Sequence, residues 1–255
     1  MAIPTSARDL AAEHKAAAIR ERLAAPRGES PLGDFILGGV DGVVTTFAVV
    51  AGCAGGQLTG TIVIILGLAN LVADGFSMAV SNYLGTKSRQ DEIREFRADE
   101  IRQTQMYPEG EREEIRQIFE LKGFQGKTLN RIVEVITSDR RIWVDTMMAE
   151  ELKLSDGSTR PLRAALATFA AFSICGFIPL VPFILGTSHF DIKFGVSGAL
   201  AALTFVALGV GKGLVLGLSP WKAGLQTLGL GGGAAILAYG VGVAAHLLFQ
   251  VSPAQ

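Results

Sequence analysis

Histidine and cysteine, the side chains most often used to hold a transition metal tightly, are nearly missing: three and two in 255 residues. His14, His189 and His246 are scattered, and none stands beside an acidic cluster. That argues against a zinc site of Cys/His spacing and against the Glu-x-x-His pairs of a di-iron bundle. Cys53 and Cys175 both fall in apolar runs, where they read as small buried residues rather than a disulfide or a metal pair. There is no P-loop, G-x-G-x-x-G turn or G-x-S-x-G elbow, so nucleotide and serine-hydrolase chemistry lack their parts. A net charge of −1 without a basic, aromatic-studded patch leaves no case for nucleic acid. The chain is expected to be no enzyme and to carry no resident cofactor.

Charge is the next scarcity, because it is confined. Of the 23 Lys and Arg, five lie in residues 1–33, fifteen in 86–163 and three in all the rest; the 24 acids divide four, sixteen and four. A soluble protein spreads its charge over its surface. Here the charge-poor blocks Phe35–Ala54, Leu58–Leu84, Ala164–Leu185, Phe194–Leu218 and Ala223–Phe249 each reach the ~20 apolar residues that a hydrocarbon core of ~30 Å requires. They are Gly-rich, and too long and unalternating for barrel strands. The expected fold class is all-α: a polytopic membrane protein with five transmembrane helices and a cytoplasmic helical subdomain between helices two and three.

The distribution of Lys and Arg orients such a chain, since basic short loops stay on the cytoplasmic side. The basic segments 1–33 and 86–163 go inside, the uncharged "GGQLTG" and the Lys-poor "GTSHFDIK" go outside, "SPWKAG" inside and "VSPAQ" outside. The expected order is an amphipathic cytoplasmic segment over 1–33, transmembrane helices one and two over 34–85, a cytoplasmic domain over 86–161, and helices three to five over 162–251. Residues 1–33 hold no apolar h-region, and "SARDLAAEHKAAAIRERL" suits a helix lying on the membrane surface. Within the cytoplasmic segment, "YPEG" and Gly123 punctuate three or four helices, the first possibly continuous with the second membrane helix. Glycines recur at four-residue spacing, as Gly38/Gly42, Gly52/Gly56, Gly209/Gly213/Gly217 and Gly229/Gly233, which permits close helix packing.

Against this background the misplaced polar residues stand out. Asp41 is the only charge in its run, and Asp74 lies in the second run with Asn70, Ser77 and Met78 within one turn. An intramembrane carboxylate is costly and marks an ion or proton route. Met78 follows Asp74 by four residues, so carboxylate and thioether share a helix face, a donor pair for a cation softer than Mg²⁺ or Ca²⁺. A second group lies in 86–161: Met147 and Glu151 at i, i+4 in "DTMMAEEL", Glu111 and Glu114 at i, i+3, and Glu100 on the first helix. Carboxylates with thioethers and no His or Cys suit Fe²⁺ or Mn²⁺ held weakly enough to release. Gly38, Gly39 and Gly42 would let a partner helix come close enough to share Asp41.

Three stretches, "ILGGVDGVVTTFAVVAG", "LANLVADGFSMAVSNYLGTKSRQDE" and "DRRIWVDTMMAEELKL", in this order and spacing, resemble the vacuolar iron transporter family from about Asp34 to the C-terminus. The resemblance implies a homodimer that moves Fe²⁺, and in some members Mn²⁺, out of the cytoplasm with protons as counter-ion. It implies a path at the dimer interface with Asp41 and Met78 as metal contacts, joined on the residue reading by Asp74. It also implies a cytoplasmic metal-binding domain whose ligands fall at Glu100, Glu111, Glu114, Met147, Met148 and Glu151. One departure is Gln103, where the family pattern offers a second Glu one turn after Glu100; Glu92, Glu95 and Asp99 are nearby acids. The expected function is transport of Fe²⁺ or Mn²⁺ as cargo, with divalent ions, protons, the bilayer and a second copy as partners. A membrane-anchored metal sensor or buffer is the alternative.

Overall fold

The computed structural model describes residues 14–24, 32–154, 160–186 and 189–249, and every regular element among them is helical. In chain order these are α1 (Ala16–Ala24), α2 (Leu32–Gly55), α3 (Gly60–Met106), α4 (Pro108–Leu121), α5 (Gly126–Ser138), α6 (Arg140–Glu150), α7 (Pro161–Phe177), a 3₁₀ turn (Ile178–Leu180), α8 (Val181–Leu185), α9 (Phe190–Leu216) and α10 (Pro220–Phe249). Most of the N-terminal surface helix expected over 1–33 lies outside the described residues; α1 is its described part. The chain divides into two compact units, one of residues 1–22, 30–84 and 160–255, the other of 23–29 and 85–159.

The first unit holds five stretches long and apolar enough to cross a membrane: α2, the apolar part of α3, Pro161–Leu185, α9 and α10. The third is not one rod. Pro179 and Pro182 each lack an N–H, so α7 tightens into the 3₁₀ turn before α8 resumes. Buried Ser197 on α9 donates to the Pro179 carbonyl at 2.7 Å and satisfies the backbone at that bend. α9 ends on Gly217 in the left-handed region at φ 66°, and Leu218 N–H closes back on the Gly213 carbonyl at 2.9 Å. Pro220 then opens α10 at a position where a missing N–H costs nothing.

α2 sits at the centre, against α7, α9 and α10. Glycine makes that possible. A Cβ on Gly38 or Gly42 would lie 2.3 and 2.4 Å from the backbone oxygens of Thr168 and Phe172 on α7. A Cβ on Gly55 would lie 2.2 Å from the Tyr239 oxygen on α10, and one on Gly242 would lie 2.1 Å from the Gly52 oxygen. Of the four spaced glycine sets, Gly38/Gly42, Gly52 and Gly209/Gly213 do pack helices, whereas Gly229 and Gly233 face open space. The helix that Gly38 and Gly42 admit is α7 of the same chain, and Gly39 faces Cys175 and Leu208; these glycines are occupied within the subunit, which corrects the expectation that they receive a partner. α3 keeps its backbone farther off and meets its neighbours through side chains. Val63 and Leu71 join Val50, Cys53, Phe172, Leu180 and Phe183 in one core, and Val43, Cys175, Ala201 and Phe205 form another. Both cysteines are buried and free.

The second unit consists of the charged remainder of α3 with α4, α5 and α6. α3 is continuous over 47 residues, so the second membrane helix does run on into the charged segment. Pro108 opens α4, Gly123 at φ 94° ends it, and the Asp139 side chain caps α6 by accepting from the N–H groups of Arg141 and Ile142 at 2.8 and 3.3 Å. The amphipathic faces of α4, α5 and α6 meet in a core of Ile115, Leu129, Val133, Trp143 and Met147, while Ile93, Val144 and Met148 form a second core. Exposed ion pairs, Arg97 with Asp145 and Lys122 with Glu150, link α6 to α3 and α4.

Candidate functional site

In the membrane unit the structure brings Asp41 and Asp74 together: their carboxylates are close enough to act on one another electrostatically. The positions follow from the helical repeat. Asp41 and Thr45 stand one turn apart on α2, Asn70 and Asp74 one turn apart on α3, and the two edges face each other. Thr45 Oγ1 donates to the Asp41 carbonyl at 2.9 Å, and Asn70 Nδ2 donates to Thr45 Oγ1 at 3.1 Å. The result is a polar seam between two otherwise apolar helices. Asp41 is half-buried, whereas Asp74 and Ser77 are exposed on the subunit's surface within the apolar stretch. Met78 is half-buried, one turn beyond Asp74, and packs against the core that contains Phe172 and Leu71.

A second polar junction escaped the sequence reading. Asn82 Nδ2 donates to Asp34 Oδ1 at 2.8 Å and to Thr168 Oγ1 at 2.6 Å, and Thr168 donates to the Ala164 carbonyl at 3.0 Å. Three helices, α2, α3 and α7, are tied by neutral or singly charged groups separated by up to 134 residues. Asp34 begins an apolar run, where an acid reads as an ordinary first-turn residue, so nothing local marks it.

In the second unit Glu100 and Glu111 are 4% exposed, an unusual place for carboxylates, and one oxygen of each, Oε2, is buried without a hydrogen-bond partner. Ile115 lies one turn after Glu111 on α4 and meets Met147 on α6, so Glu111 sits on the face turned toward α6. Burial pushes the Glu100 carboxyl up to about 7, helped by the negative charges of Glu151, Glu111, Glu114 and Asp99. Burial likewise raises Glu111 to about 7, with Glu114, Glu151 and Asp99 adding to it. Glu151 is raised by burial and by Glu114. The four glutamates picked out from the sequence therefore form one electrostatic group drawn from α3, α4 and the end of α6.

The thioethers are placed differently. Met147 is fully buried among Ile115, Leu129, Val133 and Trp143, and Met148 is buried with Ile93 and Val144. Both side chains take part in the hydrocarbon cores beside the acids. Among the described residues no three His, Cys, Asp or Glu side chains converge tightly enough to hold one metal ion. The group is thus a cluster of ionisable oxygens on a packed floor, with two buried oxygens lacking partners. Gln103 donates to Asp99 at 3.2 Å, and Asp99 also pairs with Arg102. Of the three acids near Gln103, Asp99 acts on Glu100 and Glu111, while Glu92 lines an open cavity with Ser88, Arg89 and Leu154.

A model of the VIT family matches residues 32–243. The chain is 33% identical over 216 residues to a vacuolar iron transporter of Toxoplasma gondii, covering 81% of this chain and 72% of that one. It is 28% identical over 207 residues to vacuolar iron transporter 1 of Arabidopsis thaliana, covering 81% and 82%. It is 30% identical over 210 residues to vacuolar iron transporter 1 of Oryza sativa subsp. japonica, covering 82% of each. With five apolar helices and a match that runs from the first of them into the last, this integral, multi-pass membrane protein belongs to the VIT family.

Proposed function

We propose that the protein is a divalent-metal transporter that carries Fe²⁺, and also Mn²⁺, out of the cytoplasm in exchange for protons, along a path at the interface of a homodimer. The observation that carries the reading is the seam of Asp41, Thr45, Asn70 and Asp74 inside the apolar part of the fold. Two carboxylates that face each other in a low-dielectric medium repel, and either a divalent cation or a proton removes the repulsion. One site that accepts both alternately is the chemical basis of exchange. Asp41 is assigned the alternating role, Asp74 the second oxygen donor and Met78 the soft donor at the end of the seam. Support for the dimer comes from Asp74 and Ser77, which are exposed on the subunit. Left facing lipid they would be costly, and a second copy laid on this edge of α3 would enclose them.

The second unit is assigned the gathering of metal on the Lys/Arg-rich, cytoplasmic side. Glu100, Glu111, Glu114 and Glu151 are assigned as oxygen donors; the thioethers of Met147 and Met148, packed in the cores beside them, would have to turn out of those cores to join. The relatives' names support iron as cargo. Purified protein in liposomes tests the assignment. Fe²⁺ or Mn²⁺ uptake should collapse in Asp41→Ala and weaken in Met78→Ala, with a pH change inside the vesicle that tracks the metal. Wild-type flux in both variants would remove the seam from the path. A metal sensor or buffer predicts binding without flux, and it gives Asp41 and Asp74 no task.

A further inference from the structure

Away from the seam, α3 and α7 flank an open groove of about 300 Å³ whose lining is wholly apolar. Phe76, Val80 and Tyr83 form one wall and Leu162, Leu166 and Phe169 the other. At 100° per residue, the first three are centred roughly 120° around α3 from the edge that carries Asn70, Asp74 and Ser77. A second copy that covers the seam therefore leaves this groove open to the bilayer. Phe76 is 65% exposed, Leu162 65% and Leu166 59%, so the walls stand apart and are not a closed core.

The end of the groove has its own chemistry. Leu162 lies between Arg160 and Arg163, both exposed, at the start of α7. The first turn of α7 holds no acidic residue, and Arg160 makes no side-chain cap there, so its N–H groups add positive potential. Neither guanidinium has a carboxylate partner among the described residues, in contrast to the paired Lys87, Arg94, Arg97 and Arg102. Tyr83, at the same end of the groove, supplies an amphipathic ring of the kind found at headgroup level.

We propose that this groove binds one anionic glycerophospholipid, with an acyl chain between α3 and α7 and its phosphate at the first turn of α7, held by Arg160 and Arg163. A hydrocarbon slot with a doubly cationic mouth matches the two ends of such a lipid. A zwitterionic lipid fills the slot equally well but brings an ammonium to the same mouth. Juxtamembrane Lys and Arg each favour anionic lipid, and two of them predict a preference of about tenfold or more.

The test uses full-length protein in detergent, titrated with dioleoyl phosphatidylglycerol or dioleoyl phosphatidylcholine, with bound lipid counted by native mass spectrometry. The expected result is tighter binding of the phosphatidylglycerol by about tenfold, lost in Arg160→Gln/Arg163→Gln, whose exposed positions leave the fold intact. Leu166→Trp, which fills the groove from its rim, should lower retention of both lipids. Equal affinity for the two lipids in the wild type overturns the proposal. So does a preference that survives the double variant, or retention unchanged in Leu166→Trp. Efficient cross-linking of Leu166→Cys to a second copy would assign the groove to a protein interface and would overturn it as well.

Discussion

Replacing Glu100 with Gln tests the electrostatic account of the second unit most sharply, because two opposite effects are expected from one atom. Glu100 is 4% exposed and its carboxyl is pushed up to about 7 by burial and by Glu151, Glu111, Glu114 and Asp99. A carboxyl that titrates there, with an ordinary value of 4.5, has its ionised form disfavoured by about 3 kcal/mol. The pH dependence follows. With the folded-state value raised, the contribution to stability is whole below 4.5 and is lost as pH rises through about 7. At pH 8 the wild type carries the full penalty and Glu100→Gln carries none of it. Part of the gain is offset because the amide also lacks a partner for its buried end, so roughly 2 kcal/mol of stabilisation is expected at pH 8, or about 10 °C in the melting of a unit this size. At pH 5 the two proteins should melt nearly together. Thermal unfolding of the full-length protein, followed through Trp143 emission in a Trp221→Phe background, reads this directly. Saturating Mn²⁺ should then reverse the order. The wild type gains about 2.7 kcal/mol at a hundred times its Kd, and the variant, one oxygen donor poorer, gains less. If Glu100→Gln melts lower than wild type by the same amount at pH 5 and pH 8, the carboxylate is a structural contact and the reasoning fails.

Three further outcomes are expected. Gly42→Ala places a methyl 2.4 Å from the Phe172 oxygen and 2.9 Å from its Cα, so backbone must move and about 1–3 kcal/mol is lost; Gly229→Ala meets nothing within 4 Å and should melt no lower than wild type. Asn82→Ala strips a donor from Asp34 and Thr168 and should cost about 1–3 kcal/mol, read as loss of the folded fraction on size-exclusion chromatography after heating. Asp139→Ala removes the cap of α6, a loss of about 1 kcal/mol, and should raise amide exchange in the first turn of α6 while α4 stays protected.

The membrane architecture was legible because charge is nearly excluded from it: five charge-poor apolar runs can satisfy their backbones only as helices. Asp41 and Asp74 were legible for the same reason, each being a lone charge where none is affordable. What linear spacing could not supply was partnership across distance. Asp34, Asn82 and Thr168 each read as ordinary polar residues, and only the meeting of three helices makes them a junction. The glycines show the reverse case. Their spacing gave the right physical property, close approach, but not the identity of the helix that approaches, which for Gly38 and Gly42 is α7. In the second unit the pairing of Met147 with Glu151 along one helix was readable, whereas the deep burial of Glu100 and Glu111 depends on packing between helices.

The way α2 and α3 are held has a mechanical consequence. α2 is gripped mainly by backbone: the oxygens of Thr168, Phe172 and Tyr239 stand against Gly38, Gly42 and Gly55, whereas Gly39 faces the side chains of Cys175 and Leu208. α3 is gripped by side chains: Leu180 faces Gly67, and Phe169 and Phe172 face Gly75. Rotamers can yield where carbonyls cannot. Asp41 is therefore mounted on the stiff rail of the seam and Asp74 on the compliant one. On the proposed reading, a relative displacement of the two carboxylates would be taken up by α3.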